Sequence, residues 1–403
     1  MSPAFHFAGV LPPSKSLVIR SLLLRLYAPQ IRIPVLSACA DVQAMAAACQ
    51  ALRQPSTDDK PAQVDCGEAG LVLRLCLAYA ARRPGTTRLT GSARLLARPH
   101  DELVRALAQL GAQVDPTADA LIVRAPRDGW RDPGQPLALA GGTSSQFASA
   151  LLLNAWALPF ALRLHVGREP VSQGYLAMSL RMARRFGMQI DDDGDGTLSV
   201  PAQQSAIAGE AESEADVSSA FAVAALAAVA GLAQIENFPI ASQQPDAAFV
   251  DFLRQMGVPV VLDAHGLRVT RASVALRPLR ADVAGCPDLV PVLSVLCALA
   301  DGESLLYGAP HLRGKESDRI ATSAALLRLI GRQVEERSDG LRIIGRAFGA
   351  ADTAQPLHFD AGRDHRLVMA AAVARHAGFP LAIASLAAVD KSFPEFLTIA
   401  GLR

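Results

Sequence analysis

Four segments of the chain repeat one pattern, and this repeat constrains the fold more than any other feature. The segments LGAQVDPTADALIVRAP, FGMQIDDDGDGTLSVPA, MGVPVVLDAHGLRVTRA and IGRQVEERSDGLRIIGR start at Leu110, Phe186, Met256 and Ile330, which lie 76, 70 and 74 residues apart. Each segment follows an amphipathic run, over residues 101–110, 175–186, 247–256 and 318–330. Each has a glycine where a helix would end, followed by two short stretches around a polar turn. The pattern therefore predicts a repeated unit of helix, glycine and β-hairpin.

The spacing of these units indicates how the whole chain is built. Units of roughly 65 to 75 residues fit about six times into this length, which favours domains assembled from copies over one doubly wound sheet. No G-x-G-x-x-G motif follows a predicted strand, which argues against dinucleotide binding. The stretch GAPHLRGKES resembles a phosphate loop, but Ala309 replaces its first glycine and Glu316 its Ser or Thr. We expect α/β architecture made of α+β repeats.

A polar break, SVPAQQSAIAGEAESEADVSSAF, separates two apolar halves of the chain. This composition predicts a domain crossing near residues 210–216. The first segment, FHFAGVLPP, is strand-like and ends at Pro12-Pro13, so it can belong to the second half.

Composition excludes several classes of function. The net charge of +1 gives no field for holding nucleic acid or an anionic membrane surface. Six cysteines in apolar contexts, without a C-x-x-C pair, are typical of reduced thiols in a cytoplasmic protein. The start lacks a signal-peptide pattern, and the apolar stretch FAVAALAAVAGLAQI is too short to span a bilayer. We expect a cytoplasmic protein without a membrane or nucleic-acid partner.

Lysine is rare in this chain. Only four of the 39 basic residues are lysines, at positions 15, 60, 315 and 391. A coding bias towards arginine explains why most surface cations are arginines. An ammonium group, however, can exchange protons and a guanidinium cannot. Lys60 lies in the polar stretch STDDKPA and is expected on the surface, whereas the other three lie within two residues of a serine in polar motifs. Lys15, Lys315 and Lys391 are therefore candidate functional residues.

Short polar motifs mark the edges of the apolar segments. In chain order they are S-K-S-x-x-x-R, G-x-A-G-x-x-x-R, R-P, S-S-Q-F, S-x-x-Y, D-x-S-S-A, P-D, L-R-x-K-E-S-D-R, D-H-R and K-S-F-P. Each motif alone is compatible with an ordinary helix start, because Ser, Thr and Asp cap helices. Together they place hydroxyls, cations and backbone N–H groups where phosphate oxygens bind. No second histidine stands at metal-ligand spacing from His365, so no metal site is predicted.

The order of these motifs resembles the 5-enolpyruvylshikimate-3-phosphate synthase (3-phosphoshikimate 1-carboxyvinyltransferase) family, over about residues 11–396. The resemblance implies a two-domain inverse α/β barrel of six repeated units, three per domain. Residues 1–13 and 214–403 would form one domain and residues 14–213 the other, with the active site in the interdomain cleft. It implies enolpyruvyl transfer from phosphoenolpyruvate to the 5-hydroxyl of 3-phosphoshikimate, without a cofactor, by a monomer.

The resemblance also implies a role for each candidate residue. The 3-phosphoshikimate ligands would be Lys15, Ser16, Arg20, Ser144, Ser145, Gln146, Ser172, Tyr175, Asp288, His311 and Lys315. Phosphoenolpyruvate would contact Lys15, Gly70, Arg98, Gln146, Arg319, Arg366 and Lys391. Lys15 would touch both substrates, Asp288 would be the base for the 5-hydroxyl, and Glu316 with Lys315 would manage the proton on the methylene carbon.

Two positions depart from the family pattern. The glycine-rich motif usually reads N-A-G-T, whereas here it is Glu68-Ala69-Gly70-Leu71. A carboxylate at position 68 is expected to weaken phosphoenolpyruvate binding unless it points away or is neutralised. Two alternatives therefore stay open: a carboxyvinyl transferase for another acceptor alcohol, and a non-catalytic anion-binding paralogue.

Overall fold

A computed structural model describes residues 4–139, 144–168, 172–349 and 355–403. The strands are β1 Phe5–Gly9, β2 Ala62–Asp65, β3 Gly85–Thr90, β4 Gln113–Pro116, β5 Ala120–Ala125, β6 Leu137–Ala138, β7 Leu162–His165, β8 Asp191–Asp192, β9 Thr197–Val200, β10 Gly231–Ile235, β11 Val260–Asp263, β12 Gly266–Thr270, β13 Arg280–Asp282, β14 Gly302–Tyr307, β15 Gln333–Glu336, β16 Leu341–Gly345, β17 Leu357–Asp360 and β18 Leu381–Ala384.

The α-helices lie between groups of these strands in the chain. They are α1 Lys15–Leu24, α2 Ala40–Leu52, α3 Gly70–Ala80, α4 Ala93–Leu96, α5 Asp101–Gln109, α6 Ser145–Leu153, α7 Gln173–Arg185, α8 Val217–Ala230, α9 Phe249–Gln255, α10 Val290–Leu299, α11 Arg319–Leu329, α12 His365–His376 and α13 Phe396–Ile399. Short 3-10 helices cover Pro245–Ala248, Pro287–Leu289, Pro310–Gly314 and Leu386–Lys391.

The predicted repeat is present as four sheets of one design. Their strand orders are β2-β3-β5-β4, β6-β7-β9-β8, β1-β10-β12-β11 and β13-β14-β16-β15. In each sheet the first two strands are parallel, and the hairpin formed by the last two strands pairs antiparallel with the second. β17 and β18 are also parallel, and α12 lies between them in the chain. This pair therefore matches the first two strands of the same design.

The four glycines of the repeat end their helices as predicted. Gly111, Gly187, Gly257 and Gly331 have φ angles of 89°, 95°, 83° and 74°. At the first of them the Gly111 N–H donates to the Ala108 carbonyl, and the next N–H donates to Leu107, both over 3.0 Å. This is a Schellman ending, and a residue with a Cβ would be strained at its left-handed position.

The helix that precedes the second strand of each parallel pair is deeply buried. α3, α6, α8, α10 and α12 expose few residues, and α8 reads VSSAFAVAALAAVA. A crossover helix covered on all sides needs small and aliphatic side chains, which accounts for the low share of aromatic residues.

Similar turns lead from three first strands of the repeat into the helical segments. Asp65, Asp282 and Asp360 end β2, β13 and β17, and each carboxylate accepts the backbone N–H two residues further on, over 2.9 Å. Five residues after each aspartate, the next helix begins. These turns bring the polar motif residues to helix N-termini, where backbone N–H groups are available to anions.

The chain divides into two compact units, which are described separately. Residues 15–213 form the N-unit, and residues 1–14 with 214–403 form the C-unit. In the C-unit β1 pairs with β10, and the Asp216 N–H donates to the Pro12 carbonyl over 2.9 Å. Ser14, expected in the other domain, donates its N–H to the Glu214 carbonyl over 2.8 Å and belongs to the C-unit.

Each unit has its own apolar core. All six cysteines are buried with free thiols. Within the described ranges, no helix has both the length and the apolar character needed to cross a bilayer.

Candidate active site

Arg319 is the centre of a charged cluster in the C-unit. It is the first residue of α11, and its side chain is only 1% exposed. Its Nη1 donates to Asp288 Oδ1 over 2.7 Å, and its Nη2 donates to Glu316 Oε2 over 3.1 Å. The helix starts here because Asp318 accepts the Ala321 N–H over 3.0 Å as its N-cap. The guanidinium thereby bridges the two carboxylates that are predicted to handle protons.

A third carboxylate holds the other edge of the same guanidinium. Asp364 is fully buried, and its Oδ2 and Oδ1 accept from Arg319 Nε and Nη2 over 2.9 and 3.3 Å. Asp364 is also the N-cap of α12, where Oδ1 accepts the Arg366 N–H over 3.0 Å. Burial of Arg319 lowers its pKa, but the carboxylates of Asp364, Glu316 and Asp288 outweigh burial and raise it well above its ordinary value.

Three further cations surround the Asp288 and Glu316 carboxylates. Lys315 Nζ lies 3.6 Å from Asp288 Oδ1, and Arg366 Nη2 lies 3.8 Å from Asp288 Oδ2. Lys391, 6% exposed, places its Nζ 3.8 Å from Glu316 Oε1. Burial raises the pKa of Asp288, but Lys315, Arg319 and Arg366 overcome this and hold it well below its ordinary value.

The cluster has a surplus of positive charge. In the described part of the C-unit it contains four cations against the carboxylates of Asp288, Glu316 and Asp364. His311 adds no charge at neutral pH, because burial and the nearby Lys315 lower its pKa to about 4. A cluster with this balance attracts an anion and brings it beside the Asp288 and Glu316 carboxylates.

Arg20 is the corresponding buried cation of the N-unit, but its partners are neutral. It lies on α1, is 1% exposed, and donates from Nε to Ser179 Oγ over 2.8 Å and from Nη1 to the Ser16 carbonyl over 2.9 Å. Nη2 lies 3.5 Å from the Tyr175 carbonyl. Burial lowers the pKa of Arg20 to about 10, and the group stays charged at neutral pH. A buried cation with such partners is a favourable site for a phosphate group.

A second group of predicted residues gathers around Arg74 at the N-termini of α3 and α6. Arg74 Nη1 donates to Gln146 Oε1 over 2.5 Å and lies 3.4 Å from Ser144 Oγ. Ser144 is the N-cap of α6 and accepts the Gln146 N–H. The Arg98 guanidinium lies against the first residue of α3, since a Cβ on Gly70 would be 2.9 Å from Arg98 Nη1. Glycine at position 70 thus lets a guanidinium approach the start of the helix.

The remaining predicted residues of the N-unit also lie at helix starts. Lys15 begins α1, and its Nζ lies 2.9 Å from Asp41 Oδ2 on α2. Ser145, which is buried, begins α6. Ser172 precedes α7 with a left-handed φ of 54°, and its side chain does not cap the helix. Such a backbone conformation is uncommon for serine and often occurs at functional sites.

The family model of EPSP synthase (3-phosphoshikimate 1-carboxyvinyltransferase) matches residues 10–399 of this chain. The chain belongs to the EPSP synthase family. A 3-phosphoshikimate 1-carboxyvinyltransferase of Halobacterium salinarum is 36% identical over 97% of this chain and 95% of its own length. One from Methanothrix thermoacetophila is 34% identical over 96% of this chain and 93% of its own. The predicted family, the transferase activity and the place in the shikimate pathway are confirmed.

A solved structure of EPSP synthase from Acinetobacter baumannii has the same fold. It is 22% identical, with a TM-score of 0.72, and the match covers 99% of this chain and 96% of that one. This likeness confirms the predicted α/β fold, a two-domain inverse barrel of repeated units.

The predicted site residues form separate groups within each unit of this EPSP synthase family member. Contacts in the C-unit join Asp288, Lys315, Glu316, Arg319, Arg366 and Lys391, with His311 near Lys315 and Asp288. In the N-unit Arg20 contacts Ser16 and Tyr175, whereas Gly70, Arg98, Ser144 and Gln146 lie near one another at the starts of α3 and α6. The roles of these residues towards substrates stay predictions.

Four residues that contact this machinery were not among the predicted site residues: Asp41, Arg74, Ser179 and Asp364. Two of them had a signal in the motifs, because Arg74 follows Gly70 by four residues and Asp364 begins D-H-R. Ser179 lies four residues after Tyr175 on α7, where it shares a helix face with it. Asp41 lies on an apolar helix far from any predicted motif, and its sequence context gives no signal.

Proposed function

We propose that this transferase moves the enolpyruvyl group of phosphoenolpyruvate to the 5-hydroxyl of 3-phosphoshikimate and releases phosphate. The observation that carries the proposal is the cluster around Arg319, where two carboxylates, Asp288 and Glu316, lie among four cations. Addition of a hydroxyl across the C=C bond of this enol phosphate needs a base for the hydroxyl and an acid for carbon, in a site that holds anions. The proposal includes the expectation that the residues of both units act on one pair of bound substrates.

Asp288 is the proposed base for the 5-hydroxyl. As the hydroxyl oxygen attacks C2 of phosphoenolpyruvate, its proton passes to Asp288, and C3 receives a proton from the Glu316 and Lys315 pair. The product is a tetrahedral intermediate with a methyl group. The Glu316 and Lys315 pair then takes a proton back from that methyl group, and the C2–O bond to phosphate breaks as the leaving phosphate takes up the proton from Asp288. The C=C bond forms again, now as an enol ether of the acceptor.

Substrate binding is expected to raise the basicity of Asp288. Its pKa is held well below the ordinary range by Lys315, Arg319 and Arg366, which overcome the opposite effect of burial. The carboxylate and phosphate of phosphoenolpyruvate would take up part of the field of these cations. The pKa of Asp288 would then rise towards a value that suits proton transfer.

The binding roles follow the charge of each group. Arg319, Arg366 and Lys391 of the C-unit are proposed to hold phosphoenolpyruvate, together with Lys15, Gly70, Arg98 and Gln146 of the N-unit. Arg20 is proposed to hold the phosphate of 3-phosphoshikimate with Lys15, Ser16, Ser144, Ser145, Gln146, Ser172 and Tyr175. Asp288, His311 and Lys315 are proposed to contact its ring.

Release of phosphate by the purified protein tests this function. With phosphoenolpyruvate and 3-phosphoshikimate together we expect steady release, and with either substrate alone we expect none above background. No release with the pair would overturn the proposal. Release with phosphoenolpyruvate and a different alcohol, but not with 3-phosphoshikimate, would assign the protein to another acceptor.

A further inference from the structure

We infer that Asp364 and Ser317 are positioning residues that hold the Arg319 guanidinium in the orientation that binds phosphoenolpyruvate. The inference rests on the proposed function, because it concerns the phosphoenolpyruvate ligand Arg319. Neither residue is among the predicted substrate ligands. Both act through Arg319.

The contacts of Asp364 use both of its oxygens fully. Oδ2 accepts from Ser317 Oγ over 2.8 Å and from Arg319 Nε over 2.9 Å. Oδ1 accepts from Arg319 Nη2 over 3.3 Å and from the Arg366 N–H over 3.0 Å. The carboxylate thus contacts the Nε and Nη2 edge of the guanidinium, and its own orientation is fixed by the Arg366 N–H at the start of α12.

Ser317 completes this arrangement from the segment before α11. Its hydroxyl donates to Asp364 Oδ2 and lies 3.2 Å from the Thr322 hydroxyl. Ser317 stands directly after Glu316 and two residues before Arg319. This hydrogen bond and those of Arg319 connect the charged segment 315–319 to the N-cap of α12, the helix that also carries Arg366.

Within the described residues, one N–H group of Arg319 has no carboxylate partner. Contacts with Asp364, Glu316 and Asp288 use four of the five N–H groups of Arg319 within the described residues, and the fifth is on Nη1. A guanidinium anchored along Nε and Nη2 cannot rotate away from an anion that approaches Nη1.

Replacing Asp364 by Asn distinguishes a positioning role of this residue from the effect of its negative charge on anion binding. Asn remains a good helix N-cap, so α12 keeps its start. Its amide nitrogen cannot accept, so two of the four hydrogen bonds are lost in either orientation of the amide. Charge alone predicts tighter binding of an anion, because the cluster becomes more positive. Positioning predicts weaker binding.

The test measures kcat, the KM of each substrate and, by calorimetry, the Kd for phosphoenolpyruvate. For Asp364→Asn we expect the KM and Kd for phosphoenolpyruvate to rise roughly tenfold or more, with a much smaller change in the KM for 3-phosphoshikimate. For Ser317→Ala we expect the KM and Kd for phosphoenolpyruvate to rise about threefold. Ser317→Thr keeps the hydroxyl and should keep the wild-type values. If Asp364→Asn fails to fold, the Ser317 pair carries the test.

Ser323→Ala is the matched control. Ser323 is a buried serine on α11, and its hydroxyl has no hydrogen-bond partner within the described residues. We expect wild-type kinetics from this variant. Unchanged or tighter phosphoenolpyruvate binding in Asp364→Asn and Ser317→Ala, or equal losses for both substrates, would overturn the inference. Calorimetry measures phosphoenolpyruvate binding without turnover. The inference is therefore tested independently of whether phosphate is released.

Discussion

Each unit contains an arginine that is only 1% exposed, but the two arginines have opposite surroundings. Arg319 in the C-unit is 1% exposed and contacts three carboxylates, whereas Arg20 in the N-unit is 1% exposed and contacts a hydroxyl and two carbonyls. The pKa of Arg319 is raised by its carboxylates against the effect of burial, and burial lowers that of Arg20 to about 10. Equal burial therefore does not mean equal electrostatic compensation.

This difference separates two ways of building an anion site. A buried cation with neutral partners costs folding free energy and regains it when an anion binds, so Arg20 suits a group that only has to be held. A buried cation with its own carboxylates is already stable, and an anion that binds there changes the charge balance of those carboxylates. Arg319 therefore suits the place where protons move.

The prediction with the largest expected effect tests whether the carboxylates of the C-unit do more than compensate the charge of Arg319. Asp288→Asn and Glu316→Gln should each reduce turnover by roughly 100-fold or more, because each removes a group that accepts or donates a proton. Steady-state phosphate release measures this. Glu303→Gln, on the surface of the same unit beside Arg342, serves as the control and should keep normal turnover. Near-normal turnover in both site variants would show that they only balance charge.

The next prediction compares the same substitution in the two units and expects losses of different size. Arg319→Met leaves three carboxylates facing one another, and the free energy of unfolding should fall by about 3–5 kcal/mol. Arg20→Met removes a cation with neutral partners, and the free energy of unfolding should change by less than about 1 kcal/mol. Urea unfolding of both variants without substrate gives the comparison. Equal losses would contradict the distinction drawn between the two sites.

Arg20→Met should also raise the KM for 3-phosphoshikimate by roughly tenfold or more while its fold is kept. A variant with wild-type KM would show that the phosphate is held elsewhere.

A smaller expected effect, on the pH dependence of the free energy of unfolding, comes from one histidine in each unit. Burial lowers the pKa of His100 in the N-unit and of His311 in the C-unit to about 4 in each case. Between pH 6.5 and about 4 the unfolded chain binds these protons and the folded chain does not, so stability falls as pH falls through this window. We expect a loss of roughly 2 kcal/mol from the buried His100.

His100→Gln should flatten this pH dependence, because glutamine does not titrate and its amide can still donate to the Leu95 carbonyl as His100 Nε2 does over 3.0 Å. Thermal unfolding between pH 4 and 7 measures it. An unchanged slope in the variant would mean that His100 titrates normally in the folded protein.

The smallest effect concerns the departure from the family motif at position 68. Glu68 stands two residues before Gly70, against which the Arg98 guanidinium lies. Glu68→Asn should lower the KM for phosphoenolpyruvate about threefold at low salt and less at high salt, because the effect is a screened charge interaction. A KM that rises, or does not change with salt, would show that Glu68 is not near the bound anion.

The repeat could be predicted because its signals are local. Gly111, Gly187, Gly257 and Gly331 all end helices, since only glycine takes the left-handed position without strain. The rarity of lysine also carried local information: Lys60 is exposed, whereas Lys15, Lys315 and Lys391 are at least partly buried and lie within 4 Å of carboxylates. Periodicity, caps and composition act within one or two turns of chain, so a sequence displays them directly.

The partners of the charged groups depend on contacts between residues far apart in the chain. Arg20 and Ser179 are separated by 159 residues, and Arg319 and Asp364 by 45. Asp364 begins the D-H-R motif and precedes a helix, so the sequence indicates a helix cap but does not show which cation the carboxylate contacts. Its second function, to anchor a guanidinium, exists only because α11 and α12 start beside each other in the C-unit.

The repeated α+β unit, the family and the residue types at helix starts can be predicted from the amino-acid sequence, because they follow from local propensity and from the order of motifs. Which carboxylate neutralises which cation depends on the folded structure, where Arg319 is compensated and Arg20 has neutral partners. An ion pair depends on a few ångströms of distance and on burial, and the packing of helices sets both.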